Sequence, residues 1–160
     1  MSGKIRVFLA EDNLRMTEII KSFFELTEQM EICGTADNGE DAVQQILLLL
    51  PDVVVLDLIM PKLDGIGVLE ALRREPPATP PLIIVTSAVG EERITQQALS
   101  LGATYYMIKP YSLHDLCNRI SLMVEGPRVE AERAPERNQE NAISKLCLLY
   151  TSIGLWPCSL

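Results

Sequence analysis

The chain has 160 residues, of which 48% are hydrophobic, and it carries a formal net charge of −8. This length suits one ordinary domain with a short linker or tail. Residues 1–125 hold 10 Lys+Arg and 18 Asp+Glu, so this part lacks the basic surface typical of nucleic-acid binding. No apolar run is long enough to cross a bilayer.

The N-terminus and the cysteines indicate where the protein works. Residues 1–4 lead straight into a strand-like run without signal-peptide architecture, so we expect the cytoplasm. The cysteines form no CxxC pair and no metal-ligand spacing, and we expect them to be reduced thiols: Cys33, Cys117, Cys147 and Cys158.

The first half of the chain alternates strand-like and helix-like segments. Residues 4–9 are rich in β-branched and aromatic side chains and predict a strand that ends at a turn over 10–13. Apolar residues then recur at helical spacing over 16–26. A second strand is predicted over 31–36, followed by a helix over 42–50 that Pro51 ends.

The same alternation continues to residue 125. Residues 53–56 and 82–85 are continuous apolar runs, typical of strands covered on both faces. Helices are predicted over 66–72, before Pro76, and over 94–101, where Gly102 is placed to stop the helix. A fifth strand is predicted over 105–108 and a fifth helix over 112–125, with Ser112 as its N-cap.

Five strands alternating with five helices predict an α/β fold with a parallel sheet covered by helices on both faces. In such sheets, functional groups gather beyond the carboxyl ends of the strands. Polar residues follow four of the five predicted strands: Glu11 and Asp12, then Asp57, then Thr86 and Ser87, then Lys109 and Pro110. Each alone is an ordinary turn or surface residue, but their joint placement predicts one shallow acidic pocket.

The charges of this pocket predict its chemistry. Three carboxylates within a few ångströms repel one another, so they need raised pKa values or a cation. Mg²⁺ binds carboxylates, waters and phosphate oxygens, and Lys109 supplies a fixed positive charge. A phosphoryl group on Asp57 would lie between the metal, Lys109 and the Thr86 hydroxyl, which is how phosphoryl transfer is normally supported.

At these residues the sequence resembles the receiver domain of two-component response regulators, the CheY-like family. The resemblance covers residues 4 to about 125. It rests on the acidic pair at 11–12, the segment 53–65, Thr86 and the segment 106–110. It implies a flavodoxin-like (βα)5 fold, a doubly wound five-stranded parallel sheet with strand order 2-1-3-4-5.

The resemblance also implies a phosphorylation site and a metal site. Asp57 would be the phosphoacceptor, attacking a phosphohistidine on a histidine kinase or histidine phosphotransferase. Mg²⁺, for which Ca²⁺ or Mn²⁺ can substitute, would be held by Asp12, Asp57 and the Ile59 carbonyl, with Glu11 acting through water. Glu11 replaces the more usual Asp, and Ser87 stands where the family more often has alanine.

A two-state switch is implied as well. Thr86 would move toward the phosphoryl oxygen, Tyr106 would turn inward behind it, and Lys109 would pair with the phosphate. The Lys109-Pro110 bond is expected to be cis, and Gly65 would permit a tight turn after the phosphorylation loop. The change between the two states would reach the surface of the fourth helix, fifth strand and fifth helix. This change could drive formation of a homodimer.

Segments 52–72 and 102–110 look closest to the sporulation regulators of spore-forming Firmicutes within that family. That similarity implies control of transcription through a DNA-binding effector domain, which residues 1–125 do not contain. Residues 126–141 are rich in Pro, Glu and Arg and predict a flexible linker. We expect residues 142–146 to begin an effector domain and 147–160 to be an artefact or a disordered tail.

Two other functions remain as alternatives, a phosphorelay carrier and an aspartyl-nucleophile enzyme, and a flavodoxin is disfavoured. A stand-alone phosphorelay carrier would use the same site without DNA. An aspartyl-nucleophile phosphatase of the haloacid dehalogenase type needs a second acid two residues after Asp57, where this chain has Ile59, and the lone His114 offers no general base. A flavodoxin needs a Ser/Thr/Gly-rich phosphate loop after the first strand, which this sequence lacks.

Overall fold

The computed structural model describes residues 3–126. The predicted linker over 126–141 therefore lies outside the described residues apart from Gly126, as do the predicted start of an effector domain over 142–146 and the predicted tail over 147–160. Among residues 3–126, no helix combines the length and apolar character needed to span a membrane.

Five strands and five helices alternate along residues 3–126, as predicted. In chain order they are β1 Ile5–Ala10, α1 Leu14–Glu25, β2 Met30–Ala36, α2 Gly39–Leu49, β3 Val53–Asp57, α3 Gly65–Arg74, β4 Leu82–Ser87, α4 Glu92–Ser100, β5 Tyr105–Ile108 and α5 Leu113–Glu125.

The strands form one parallel sheet in the order β2-β1-β3-β4-β5, which confirms the predicted topology. Helices α1 and α5 pack on one face, and α2, α3 and α4 pack on the other. The fully buried or nearly buried helix residues that make these contacts are Ile20, Phe24, Leu116 and Ile120 on the first face, and Ile46, Leu69 and Ala98 on the second. The central strand β3 is buried along its whole length, as its continuous apolar run predicts.

Two strands run further than the sequence pattern predicts. Asp57 and Thr86 lie opposite each other in the β3–β4 ladder, and Ser87 pairs with Ile108 of β5. Polar residues therefore end β3 and β4 rather than follow them, because the ladder continues past the apolar run. The site begins inside the sheet.

Helix α2 ends at Leu49, one residue earlier than predicted. Leu50 adopts a left-handed conformation with φ 48° and donates its backbone N–H to the Ile46 carbonyl. The residue before a proline is disfavoured in the α-helical region, so Pro51 ends the helix before Leu50.

Candidate functional site

The carboxyl ends of four strands bring the predicted polar residues to one edge of the sheet. Glu11 follows β1 and is 3% exposed, Asp57 ends β3 and is 5% exposed, and Thr86 in β4 is 1% exposed. Lys109 follows β5, and its backbone N–H donates to the Ser87 carbonyl. Buried polar groups require partners, so the contacts among these side chains define the site.

Lys109 bridges two of the buried acids. Its Nζ donates to Glu11 Oε2 at 2.8 Å and to Asp57 Oδ2 at 2.9 Å. The lysine side chain is 23% exposed, whereas those of Glu11 and Asp57 are 3% and 7% exposed. The sequence predicts Lys109 as a partner for phosphate, and the structure shows that it also joins two carboxylates that would otherwise repel.

The charges at this bridge shift two pKa values. Burial raises the pKa of Glu11, and the nearby Asp57 charge raises it further, although the hydrogen bond from Lys109 opposes both effects. For Lys109, burial alone would lower the pKa, but hydrogen bonds and charges from Glu11 and Asp57 outweigh burial and raise it. Lys109 therefore stays protonated at neutral pH. Ionisation of Glu11, in contrast, lowers the stability of the folded chain.

The loop after β3 holds the Asp57 side chain from the other side. The backbone N–H of Ile59 donates to Asp57 Oδ1 at 3.0 Å. Leu58 N–H donates to the Thr86 carbonyl at 3.0 Å, and Gly65 N–H donates to the Leu58 carbonyl at 2.9 Å. Each oxygen of the Asp57 carboxylate thus has a fixed donor, which leaves one lone pair of each oxygen for another partner.

Three acids at this edge suit a hard cation. Glu11, Asp12 and Asp57 each offer a carboxylate oxygen, and these oxygens lie within 4.8 Å of one another. Asp12 is exposed, whereas the other two are buried. Glu11 Oε1 is further oriented by the backbone N–H of Asn13 at 3.2 Å. Oxygen donors of this kind are those that Mg²⁺ or Ca²⁺ prefers.

The remaining predicted residues surround this cluster. Tyr106 is half-buried, and its hydroxyl donates to the Val89 carbonyl at 2.6 Å, in the segment between β4 and α4. The Lys109-Pro110 peptide bond is cis. Ser87 is fully buried, and its Oγ accepts a hydrogen bond from Val89 N–H at 3.0 Å.

Gly65 has a different role from the one that the sequence predicts. The positive φ in this loop belongs to Lys62, at 65°, whereas Gly65 begins α3 without one. A Cβ on Gly65 would lie 2.6 Å from the Asp57 carbonyl oxygen and 2.7 Å from Leu58 Cα. Glycine is needed here for close backbone approach beneath the candidate phosphoacceptor.

We expect Gly65→Ala to lower the free energy of unfolding by about 2 kcal/mol, because backbone atoms must move to admit the new methyl group. Chemical denaturation measures this change. The matched control is Gly3→Ala, because a Cβ at Gly3 meets nothing within 4 Å. Equal stabilities for the two variants would contradict the close-approach explanation.

Tyr111 is a site residue that sequence reasoning missed. Its hydroxyl is buried beside the cluster, and it makes no hydrogen bond. The only sequence signal is an aromatic residue directly after Pro110, which on its own indicates packing.

Comparison with known proteins agrees with this geometry. The model of the response regulator receiver domain matches residues 7–121. The receiver domain of the response regulator NarL from Mycobacterium tuberculosis is 30% identical, with a TM-score of 0.71 over 77% of this chain and 98% of that chain. The receiver domain of Francisella response regulator 1452 is also 30% identical, with a TM-score of 0.69 over 76% and 98%.

A third similar structure is the CheX-CheY-BeF3-Mg+2 complex from Borrelia burgdorferi, at 27% identity and a TM-score of 0.68, covering 75% of this chain and 89% of that chain. The family match spans well over half of the sequence and includes all four strand ends that carry the polar cluster. This chain belongs to the response regulator receiver domain family.

Proposed function

We propose that this chain is the phosphoacceptor of a two-component system or phosphorelay, and that it acts in the cytoplasm as a switch rather than as an enzyme. Asp57 takes a phosphoryl group from a phosphohistidine on a histidine kinase or phosphotransferase. The observation that carries the proposal is the Asp57 carboxylate, which is buried, held by Lys109 and Ile59, and faces two further acids.

The acid cluster fits a divalent cation by its donor chemistry and spacing. Asp12 and Asp57 would hold Mg²⁺, with Glu11 and the Ile59 carbonyl as further ligands, and Ca²⁺ or Mn²⁺ could substitute. When bound, the cation neutralises negative charge on the acids and on the transferred phosphoryl group. Each carboxylate oxygen has two lone pairs, so the hydrogen bonds from Lys109 leave acceptor capacity for the ion.

Phosphoryl transfer at this site depends on positioning. A carboxylate oxygen of Asp57 attacks phosphorus, the phosphorus–nitrogen bond of the donor breaks, and the imidazole leaves with the electron pair. The Ile59 N–H and the Lys109 ammonium hold the nucleophile in place before the reaction. Lys109 can then pair with a phosphoryl oxygen, because its ammonium group has three protons and donates one to Glu11 and one to Asp57.

A docking surface for a donor protein lies next to Lys109. A cavity of about 480 Å³ is lined mostly by apolar side chains: Met16, Ile19, Ala88, Lys109, Pro110, Tyr111 and Leu113. Ile19 is 48% exposed and Leu14, near the start of α1, is 69% exposed. A protein partner that covers these residues would also exclude water from Asp57, which favours the transfer. The similar Borrelia CheY was solved as a protein complex with BeF3 and Mg+2.

The phosphorylated state would differ from the resting state at α4, β5 and α5. In the resting state the Tyr106 hydroxyl is bonded to the Val89 carbonyl. We infer that Thr86 moves toward the phosphoryl group and that Tyr106 turns inward, which frees the β4–α4 segment. Phosphorylation shifts this equilibrium only by the contacts that it makes more strongly in the active state.

The finer proposals concern the output of the switch. We propose that the α4–β5–α5 surface controls a DNA-binding effector domain, with a phosphorylation-dependent homodimer as the active form, and that the process is sporulation. The similarity of segments 52–72 and 102–110 to sporulation regulators supports this proposal. One similar structure is described as a DNA-binding response regulator of the LuxR family from Staphylococcus aureus.

Mass spectrometry after incubation with acetyl phosphate and Mg²⁺ tests the phosphoacceptor. We expect the wild-type chain to gain one phosphoryl group and Asp57→Ala to gain none. The matched control is Asp52→Ala, because Asp52 precedes the same strand at the opposite edge of the sheet, where it accepts a hydrogen bond from Arg6 N–H. Labelling that persists in Asp57→Ala would remove Asp57 from this role.

A further inference from the structure

The proposed function does not explain why the Tyr111 hydroxyl is buried without a hydrogen-bond partner. Tyr111 follows Pro110 in the segment between β5 and α5. Its hydroxyl oxygen is fully buried, and it has no hydrogen-bond partner within residues 3–126. Such an atom lowers stability in the resting state, and native proteins satisfy nearly all buried polar groups.

The surroundings of Tyr111 differ at the two ends of the side chain. Its ring packs in the apolar core with α1 and α5 and lines the cavity beside Pro110 and Leu113. Its hydroxyl lies near the Thr86 side chain. Burial raises the pKa of Tyr111, so the hydroxyl keeps its proton and remains a donor.

The contact with Thr86 stops short of a hydrogen bond in this structure, although Thr86 also lies opposite Asp57 in the β3–β4 ladder. A threonine hydroxyl has one hydrogen to donate and two lone pairs that accept. If Thr86 donates its hydrogen to a phosphoryl oxygen, its own oxygen still has room for a donor. Tyr111 is the donor already placed beside it.

We propose that Tyr111 is a positioning residue, whose hydroxyl donates to Thr86 Oγ1 when Thr86 donates to the phosphoryl group on Asp57. The inference rests on the proposed function of Asp57. A chain of hydrogen bonds from Tyr111 through Thr86 to a phosphoryl oxygen would be cooperative, because each bond polarises the next. The hydroxyl is unsatisfied in the resting state and satisfied in the phosphorylated state, so it favours the latter.

Removal of the single oxygen tests the role of Tyr111. The experiment measures the binding of beryllofluoride, which attaches to a carboxylate in place of a phosphoryl group, to the full chain in Mg²⁺ by isothermal titration calorimetry. We expect Tyr111→Phe to bind about fivefold more weakly than wild type, the effect of one neutral hydrogen bond. We also expect its melting temperature without ligand to be no lower than that of wild type.

The same substitution in a Thr86→Val chain shows whether Tyr111 acts by positioning Thr86 or only by packing. If Tyr111 acts through Thr86, Tyr111→Phe will weaken binding in the wild-type chain and will leave it unchanged in Thr86→Val, where no hydroxyl is left to accept. An equal loss in both backgrounds, or a lower melting temperature of Tyr111→Phe without ligand, would assign Tyr111 to packing and overturn the inference.

The same titrations distinguish this inference from the proposed function. Wild-type chain that fails to bind beryllofluoride with Mg²⁺, or Asp57→Ala that binds it as wild type does, would overturn the proposed function itself. Binding that requires Asp57 and is the same in wild type and Tyr111→Phe would overturn only the role of Tyr111.

Discussion

Lys109→Met is expected to lower the free energy of unfolding by about 3 kcal/mol at neutral pH without divalent cations. The lysine is the cation that the structure places on both Glu11 and Asp57, at 2.8 and 2.9 Å. Methionine fills a similar volume, so the variant keeps most of the packing and loses the charge. Because the lysine side chain is 23% exposed, water screens part of the effect, and we expect the lower end of the usual range.

The pH dependence of this difference follows from two shifted pKa values. The pKa of Lys109 is raised above 10.5, so its contribution is present throughout the neutral range and is lost only as pH rises through the folded value. In the variant, the loss of Lys109 removes the interactions that lower the pKa of Glu11, so that pKa rises further. Acid then neutralises the buried charge, and the difference between variant and wild type should shrink as pH falls toward 4.5.

Urea denaturation at several pH values, with and without Mg²⁺, measures these effects. Mg²⁺ should restore part of the lost stability, because a bound cation replaces the missing positive charge. Lys21→Met on α1 is the matched control, since Lys21 is exposed and lines a different cavity, with Glu25 and Glu31. A Lys109→Met variant as stable as Lys21→Met at pH 7 would show that the bridge has no stabilising role.

The same variant should also accept phosphoryl groups more slowly. The Asp57 carboxylate would keep the Ile59 N–H but lose the donor on its other oxygen. The preorganised charge opposite the phosphoryl group would be absent, which typically costs about 100-fold or more in rate. Labelling with acetyl phosphate, compared with Lys21→Met under identical conditions, gives this ratio.

The sheet edge could be predicted from the sequence because two simple patterns coincide there. Continuous apolar runs identify buried parallel strands, and parallel strands bring their carboxyl ends to one edge. Asp57 and Lys109 are far apart in sequence, yet each is placed by the strand before it. The run over 105–108 even gives the observed bounds of β5, because polar residues flank it on both sides.

Other details depend on contacts that a pattern does not contain. The bridge from Lys109 to Glu11 and Asp57 requires side-chain directions, and an apolar run does not specify them. The close approach at Gly65 depends on the path of the loop from β3 to α3. From the sequence, Tyr111 is predicted to be an ordinary aromatic residue of the core. Its unsatisfied hydroxyl can be recognised only when the surrounding atoms are known.

Glu11→Gln is expected to stabilise the resting chain and to weaken the proposed metal site. Burial and the Asp57 charge hold the pKa of Glu11 above its ordinary value of 4.5, so the folded chain binds this proton more tightly than the unfolded chain does. Stability is therefore lost as pH rises from 4.5 through the folded pKa. Glutamine keeps the shape without the charge, and we expect it to raise the free energy of unfolding at pH 7, because Lys109 then balances the one remaining buried charge of the bridge, that of Asp57.

The two effects of Glu11→Gln have opposite signs, and this makes the prediction specific. The stability gain should disappear below pH 4.5, where Glu11 itself is neutral in both states. Affinity for Mg²⁺ should fall by about tenfold, because one of three clustered carboxylates is lost. Glu70→Gln, at an exposed position on α3, is the control and should change neither quantity. A less stable Glu11→Gln chain with unchanged Mg²⁺ affinity would mean that Glu11 serves the Lys109 bridge rather than a cation.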